Sequence, residues 1–264
     1  MYITERLAKW ATNVASEHTS AARLAAMHAI QDVVGCMIAG AGDEGAAKVR
    51  EAVDGLGNGR SVIAGRLAQT SSSYAALTNG TAAHALDFDD TFLESITHAS
   101  AVLMPALFAL GDEINASGAD IIDAYIVGLE FHGALGKALN RSHYDQGWHA
   151  TSTLGVIGTA GACARLMKLD ETRFAHVLNL AVSSCAGTKV QFGSMAKPLH
   201  AGLAAKNAIE SAKLGAAGVE GHVNAFEGPM GLMQMYGGPS APGWEAAFKV
   251  LGGTLAIERQ GLTV

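Results

Sequence analysis

The chain has 264 residues, 49% hydrophobic and 16% charged, enough apolar material for a buried core and too much for a disordered chain. A formal charge of −6 with no basic run excludes the clustered Lys/Arg footprint that nucleic acid requires. Aromatics at 6%, 32 glycines and abundant alanine leave few of the side chains that favour strands, and predict an all-α fold.

The first helix is marked by the stripe Leu7, Trp10, Ala11 and Val14. A second follows Ser20 and carries Leu24, Met27, Val33, Val34 and Met37 to a stop at Gly40-Ala-Gly42. A third spans 44–56 and closes at Gly55-Leu-Gly57-Asn-Gly59, whose spacing suits a helix cap and turn better than a dinucleotide loop. Residues 61–64 fit a short strand or extended connector, and 72–86 a helix behind a Ser-rich cap. Residues 101–116 and 119–139 read as a helical hairpin turning at Ser117-Gly118. Further helices are expected over 151–167, 171–186 and from about His200 to Ala217, with loop over 228–243. The last residues, 251–264, alternate like a strand with no partner in view.

Cys36, Cys163 and Cys185 lie far apart in apolar stretches, so buried reduced thiols are expected rather than a disulfide framework or zinc site. Met1 to Lys9 has no apolar run for a signal peptide, and 101–110 is too short to cross a bilayer. A soluble, cytoplasmic chain without membrane contact is the expectation.

The densest polar cluster is His84-Ala-Leu-Asp87-Phe-Asp89-Asp90-Thr91. The spacing of His84 and Asp87 allows them to share a helix face, with Asp89 and Asp90 on the next turn or loop. Such close carboxylates must be solvated, paired or metal-bound, and all three readings stand. His98 and His149 sit at expected helix entrances, where backbone N–H groups welcome anions. Lys197, in Phe192-Gly-Ser-Met195-Ala-Lys197-Pro-Leu-His200, has a charge that opposes the dipole of the helix it begins. That local conflict suggests a substrate carboxylate rather than helix stability. The set suits binding carboxylates and moving protons beside them.

These segments, together with Asn79-Gly80, Ser100 and Ala164-Arg-Leu-Met-Lys-Leu-Asp170, resemble the MmgE/PrpD family in its order along nearly the whole chain. The family includes 2-methylcitrate dehydratase, cis-aconitate decarboxylase and iminodisuccinate epimerase. The resemblance implies a large helical domain followed by an α+β lid, a homodimer, and no metal or organic cofactor. It implies a lyase or isomerase acting at a carbon α to a carboxylate of a small di- or tricarboxylate. Asp87, His98, His149 and Lys197 become the expected catalytic residues, and Asp90, Thr91, Met195 and His200 the expected substrate contacts. In this reading Lys197 and His149 support the developing carbanion while His98 or Asp87 handles the proton. His98-Ala-Ser100 stands where the family often has His-Pro-Ser, which points away from methylcitrate dehydration. Residues 1–264 are expected to form one helical domain without the lid, which a separate segment would supply. The alternative is a lid-less, non-catalytic binding or dimerisation protein of the same descent.

Overall fold

The computed structural model describes residues 1–263. Six helices form its first half: α1 (Ile3–Asn13), α2 (Ser20–Gly40), α3 (Glu44–Ala52), α4 (Ser72–His84), α5 (Ser100–Ile114) and α6 (Gly118–Leu139). The second half adds a short α7 (Ser142–Asp145), then α8 (Ala150–Leu166), α9 (Glu171–Ala181) and α10 (Ala196–Ala216). Two short helices, α11 (Trp244–Phe248) and α12 (Ala256–Arg259), follow. Among the described residues the sheet content is one antiparallel ribbon, β1 (Ser61–Val62) on β2 (Gln69–Thr70), with Ser61 opposite Thr70. The chain is all-α in character, as its composition predicts.

α8 is the axis of the core. Every residue of it except Arg165 is buried, and it packs between α6 and α10. A helix apolar on all faces has no solvent side to present and must be surrounded. Its run of Gly, Ala, Ser and Thr allows neighbours to approach closely. The tightest crossing is between α4 and α10, where a Cβ on Gly80 would lie 2.8 Å from the Gly202 Cα. A Cβ on Gly202 would in turn press into the Leu77 carbonyl. This crossing sets the distance between the helix that ends at His84 and the helix that begins beside Lys197. Gly202→Val is therefore expected to lower the urea midpoint without changing the slope, a loss of at least about 2 kcal/mol from overpacking.

Helix starts were legible where a side chain caps them: Asp43 accepts from Gly45 N at 2.8 Å, and Ser117 forms a reciprocal box with Asp120. At α8 and α10, by contrast, the N-cap residues His149 and Met195 make no side-chain cap.

The C-terminal segment departs from the strand expectation. Residues 256–259 form one helical turn whose first amide, Ala256 N, donates to the buried Glu130 carboxylate of α6. Only Thr263 pairs as a strand, through Thr263 N to Thr91 O at 3.0 Å and Thr91 N to Thr263 O at 2.8 Å. Both partners lie more than a hundred residues away in the chain, beyond the reach of local pattern. Residues 233–237 likewise form a π-helical turn inside the expected loop.

Candidate active site

The site begins where α4 ends. His84 is the last residue of α4, and three residues on Asp87 takes a left-handed backbone, φ +58°. That turn sends Asp87 outward, so His84 and Asp87 do not share a helix face as their spacing suggests. His84 instead reaches Asp89, with Nδ1 at 2.8 Å from Oδ2 and 3.1 Å from Oδ1. A carboxylate only accepts, so Nδ1 carries the hydrogen and the neutral ring keeps a bare Nε2. That Nε2 is buried and has no partner.

His98 reaches the same residue: its Nδ1 lies 3.3 Å from the Asp89 backbone O and 3.3 Å from Asp89 Oδ2. Burial by itself would raise the Asp89 carboxyl, but the hydrogen bonds from His84 and His98 outweigh it and hold the group below the usual carboxylate range. For His98, burial opposes the charge and the Asp89 bond overcomes it, so the ring is more basic than usual. For His84, at 1% exposure, burial wins and the ring is less basic. The trio thus favours an Asp89 carboxylate, and of the two rings His98 takes a proton more readily than His84.

Lys197, in the first turn of α10, donates to Asp87 Oδ1, and His98 Nε2 lies 3.9 Å from the same oxygen. Burial would raise Asp87, but the Lys197 ammonium more than offsets it and depresses the carboxyl. The Lys197 side chain is largely shielded, while that of Asp87 is 58% exposed. The Lys197 ammonium and the more basic of the two rings therefore meet at a carboxylate that water can reach.

His149 precedes α8 and is held by its N–H to Gly187 O at 3.1 Å. Its ring stacks 5.9 Å from His84 and meets Phe192 edge-on at 4.9 Å. Its Nδ1 lies 3.0 Å from His200 Nδ1, one turn into α10. Burial first, and then the neighbouring His84, His200 and Lys197, push His149 far below an ordinary histidine, so it is neutral. His200 is also lowered, chiefly by burial. The start of α8 is braced from below. His143 Nδ1–H donates to Tyr236 O at 2.8 Å, which leaves Nε2 to accept from Thr153 Oγ1–H at 2.7 Å.

Of the expected substrate contacts, Asp90 does not face the site. It is fully buried, and it accepts from Ser100 N at 3.3 Å and from Ser100 Oγ, which in turn meets Tyr125 OH at 2.7 Å. Burial raises its carboxyl to about 6. The unfolded chain ionises this group near pH 4, so the native state loses stability as pH rises from there to about 6 and the loss persists above. Asn keeps the shape and can donate to Ser100 Oγ, which then donates to Tyr125. Asp90→Asn is expected to be more stable than the parent by about 2 kcal/mol at neutral pH, the gain vanishing towards about pH 4, in paired urea titrations. Thr91 is committed through its backbone to Thr263, and Met195 lies exposed at the start of α10.

His84, Asp87, Asp89 and His98 offer ligand atoms within 4.8 Å of one another, close enough for a borderline divalent cation. Binding one would displace the Lys197 ammonium from Asp87 and both ring hydrogens from Asp89, so the donor set is better matched to its internal partners. Well-formed cavities lie elsewhere, including one of about 300 Å³ beside Asp123 and Arg165. Phe88, Phe192 and Met195 are exposed around the site.

The structure thus brings together Asp87, His98, His149, Lys197 and His200. Sequence reasoning missed Asp89 as the shared acceptor, His84 as a ring at the centre, and Phe192 as a wall. The density of acids at 87–90 was the available signal for Asp89, but which acid turns inward depends on the backbone at Asp87.

Residues 5–245 match the family described as the MmgE/PrpD N-terminal domain. The chain is 34% identical over 169 residues to a human protein named cis-aconitate decarboxylase, covering 62% of this chain and 35% of that one. It is 29% identical over 245 residues to a cis-aconitate decarboxylase of Aspergillus terreus, covering 89% of this chain and 49% of the relative. The chain therefore spans between a third and a half of the length of these relatives.

Proposed function

The chain belongs to the MmgE/PrpD family, and on that premise we propose that it serves a cofactor-free lyase whose reaction is decarboxylation of cis-aconitate or a close analogue. The observation that carries this reading is the meeting of Lys197 and His98 at the exposed Asp87 carboxylate, with neutral His149 beside them. A substrate carboxylate can take the place of Asp87 between Lys197 and His98. In cis-aconitate, cleavage of the CH₂–carboxylate bond releases CO₂ and leaves the electron pair to move through the double bond. The pair arrives on the carbon α to another carboxylate, where one proton adds. Cations fixed beside that second carboxylate stabilise the charge as it develops.

The charges favour a division of labour that differs from the sequence expectation. His98 is the more basic ring and joins Lys197 in holding carboxylate, whereas His149 is neutral and has a proton to give. Exposed Leu24, Met27 and Ile38 on the outer side of α2 fit the homodimer this reading includes. Exposed Phe88 and Phe192 fit a covering segment over the site. The test is ¹³C NMR of cis-aconitate incubated with the protein in D₂O. Decarboxylation releases CO₂ and places one deuteron on the product for each turnover. Hydration products would move the assignment to a dehydratase, exchange with the carbon skeleton intact would move it to an epimerase, and an unchanged spectrum would remove it.

A further inference from the structure

The contact between His149 and His200 is between like atoms, Nδ1 to Nδ1 at 3.0 Å. Two neutral rings can make that contact in one way only: a single hydrogen lies between them, carried by one Nδ1 and accepted by the other. Each neutral imidazole has one N–H, so the outer nitrogens are then opposite, one Nε2 protonated and the other bare. His149 is the ring near the reacting groups, stacked on His84 and walled by Phe192. His200 stands behind it on α10, with its Cε1 towards Gly187 and 8% of its surface still exposed. The charged or titratable groups facing His149 are Lys197, His84, His98 and His200.

We propose that His149 and His200 form a two-ring proton relay in which His200 feeds from outside the proton that His149 delivers to the substrate carbon. This rests on the decarboxylase reading, in which each turnover takes up one proton. In the resting pair His149 carries its hydrogen on Nε2 and His200 on Nδ1. As His149 Nε2–H passes to carbon, His200 Nδ1–H passes to His149 Nδ1, and a water proton joins His200 Nε2. Each ring stays neutral and each changes tautomer, so neither has to become an imidazolate. When product leaves and water enters, the reverse shift restores the starting tautomers. His200 is then a positioning and relay residue that acts through His149, rather than the substrate contact that the sequence suggests.

The test combines two readouts on the full chain. In long-range ¹H–¹⁵N spectra of protein labelled in its histidine rings, which need no substrate, the two rings should show opposite neutral tautomers. Two rings of the same tautomer, or a charged member at neutral pH, would overturn the relay. The second readout uses His200→Asn, which places an amide donor where Nδ1 was and holds His149 but cannot pass a proton on. It is expected to keep KM and lose about 10²-fold in kcat, with a proton inventory in H₂O/D₂O mixtures that changes from curved to linear. His200→Phe, which also removes the hydrogen bond, should lose more and raise KM. An Asn variant with parental kcat would show that His200 only orients its neighbour. If the parent consumes no carboxylate the functional reading fails, and the tautomer spectra still decide whether the pair shares one proton.

Discussion

Lys197→Met is expected to reduce kcat/KM for a tricarboxylate by about 10²- to 10³-fold, the loss seen when one preorganised charge-stabilising donor is removed. Met retains most of the stem, and packing beside Phe192, 5.6 Å from the ammonium, is largely preserved. What disappears is a shielded cation at the first turn of α10, where the helix dipole gives no support to a positive charge. Its partner Asp87 is exposed, and water replaces the lost bond there. Stability should therefore change little, and a urea titration beside the steady-state kinetics separates a binding and catalytic loss from misfolding. Lys197→Arg should not restore full activity, because a planar fork cannot take the place of a compact ammonium. Parental kinetics in Lys197→Met would remove this residue from the site.

The second large effect is expected at Asp89. Asp89→Asn should lower kcat by about 10³-fold, because an amide has no negative charge to keep His98 basic and sets an NH₂ donor where Oδ1 accepts from His84 Nδ1–H at 3.1 Å. It should also cost about 3 kcal/mol of stability at neutral pH, the usual scale for breaking a buried ionic network. The pH dependence has a defined sign. Asp89 is depressed in the fold, so its contribution is present above about pH 4 and is lost as pH falls below that unfolded value. His98 is raised, so its contribution is full below about pH 6.5 and is lost as pH climbs through the folded value. Together they are strongest between these limits. The stability difference between the parent and the Asn variant should be largest inside that window and shrink on both sides of it. A variant with the parental profile would mean that the two rings are held by something other than Asp89.

The helices were legible because their period and caps are local. The turn at Ser117-Gly118 marks the start of α6 in sequence, and the Gly/Ala-rich run of α8 marks a helix that the structure buries. The site was legible as a set of residues, since His98, His149 and Lys197 each stand at a helix entrance. Their pairing was not. Spacing joins His84 to Asp87, but one left-handed residue exchanges the partners and gives Asp89 to the two rings and Asp87 to Lys197. The inward turn of Asp90 depends on Ser100 and Tyr125, and the single turn of α12 on Glu130. Contacts between distant residues leave no trace in the local pattern.

The most direct measurement is a calorimetric titration of the chain with cis-aconitate, repeated on Lys197→Met. One site per chain, weakened at least about tenfold in the variant, is the predicted result, because the ligand's carboxylate replaces Asp87 at the ammonium. No binding by the parent, or equal affinity in both proteins, would contradict a carboxylate site built on Lys197 and His98.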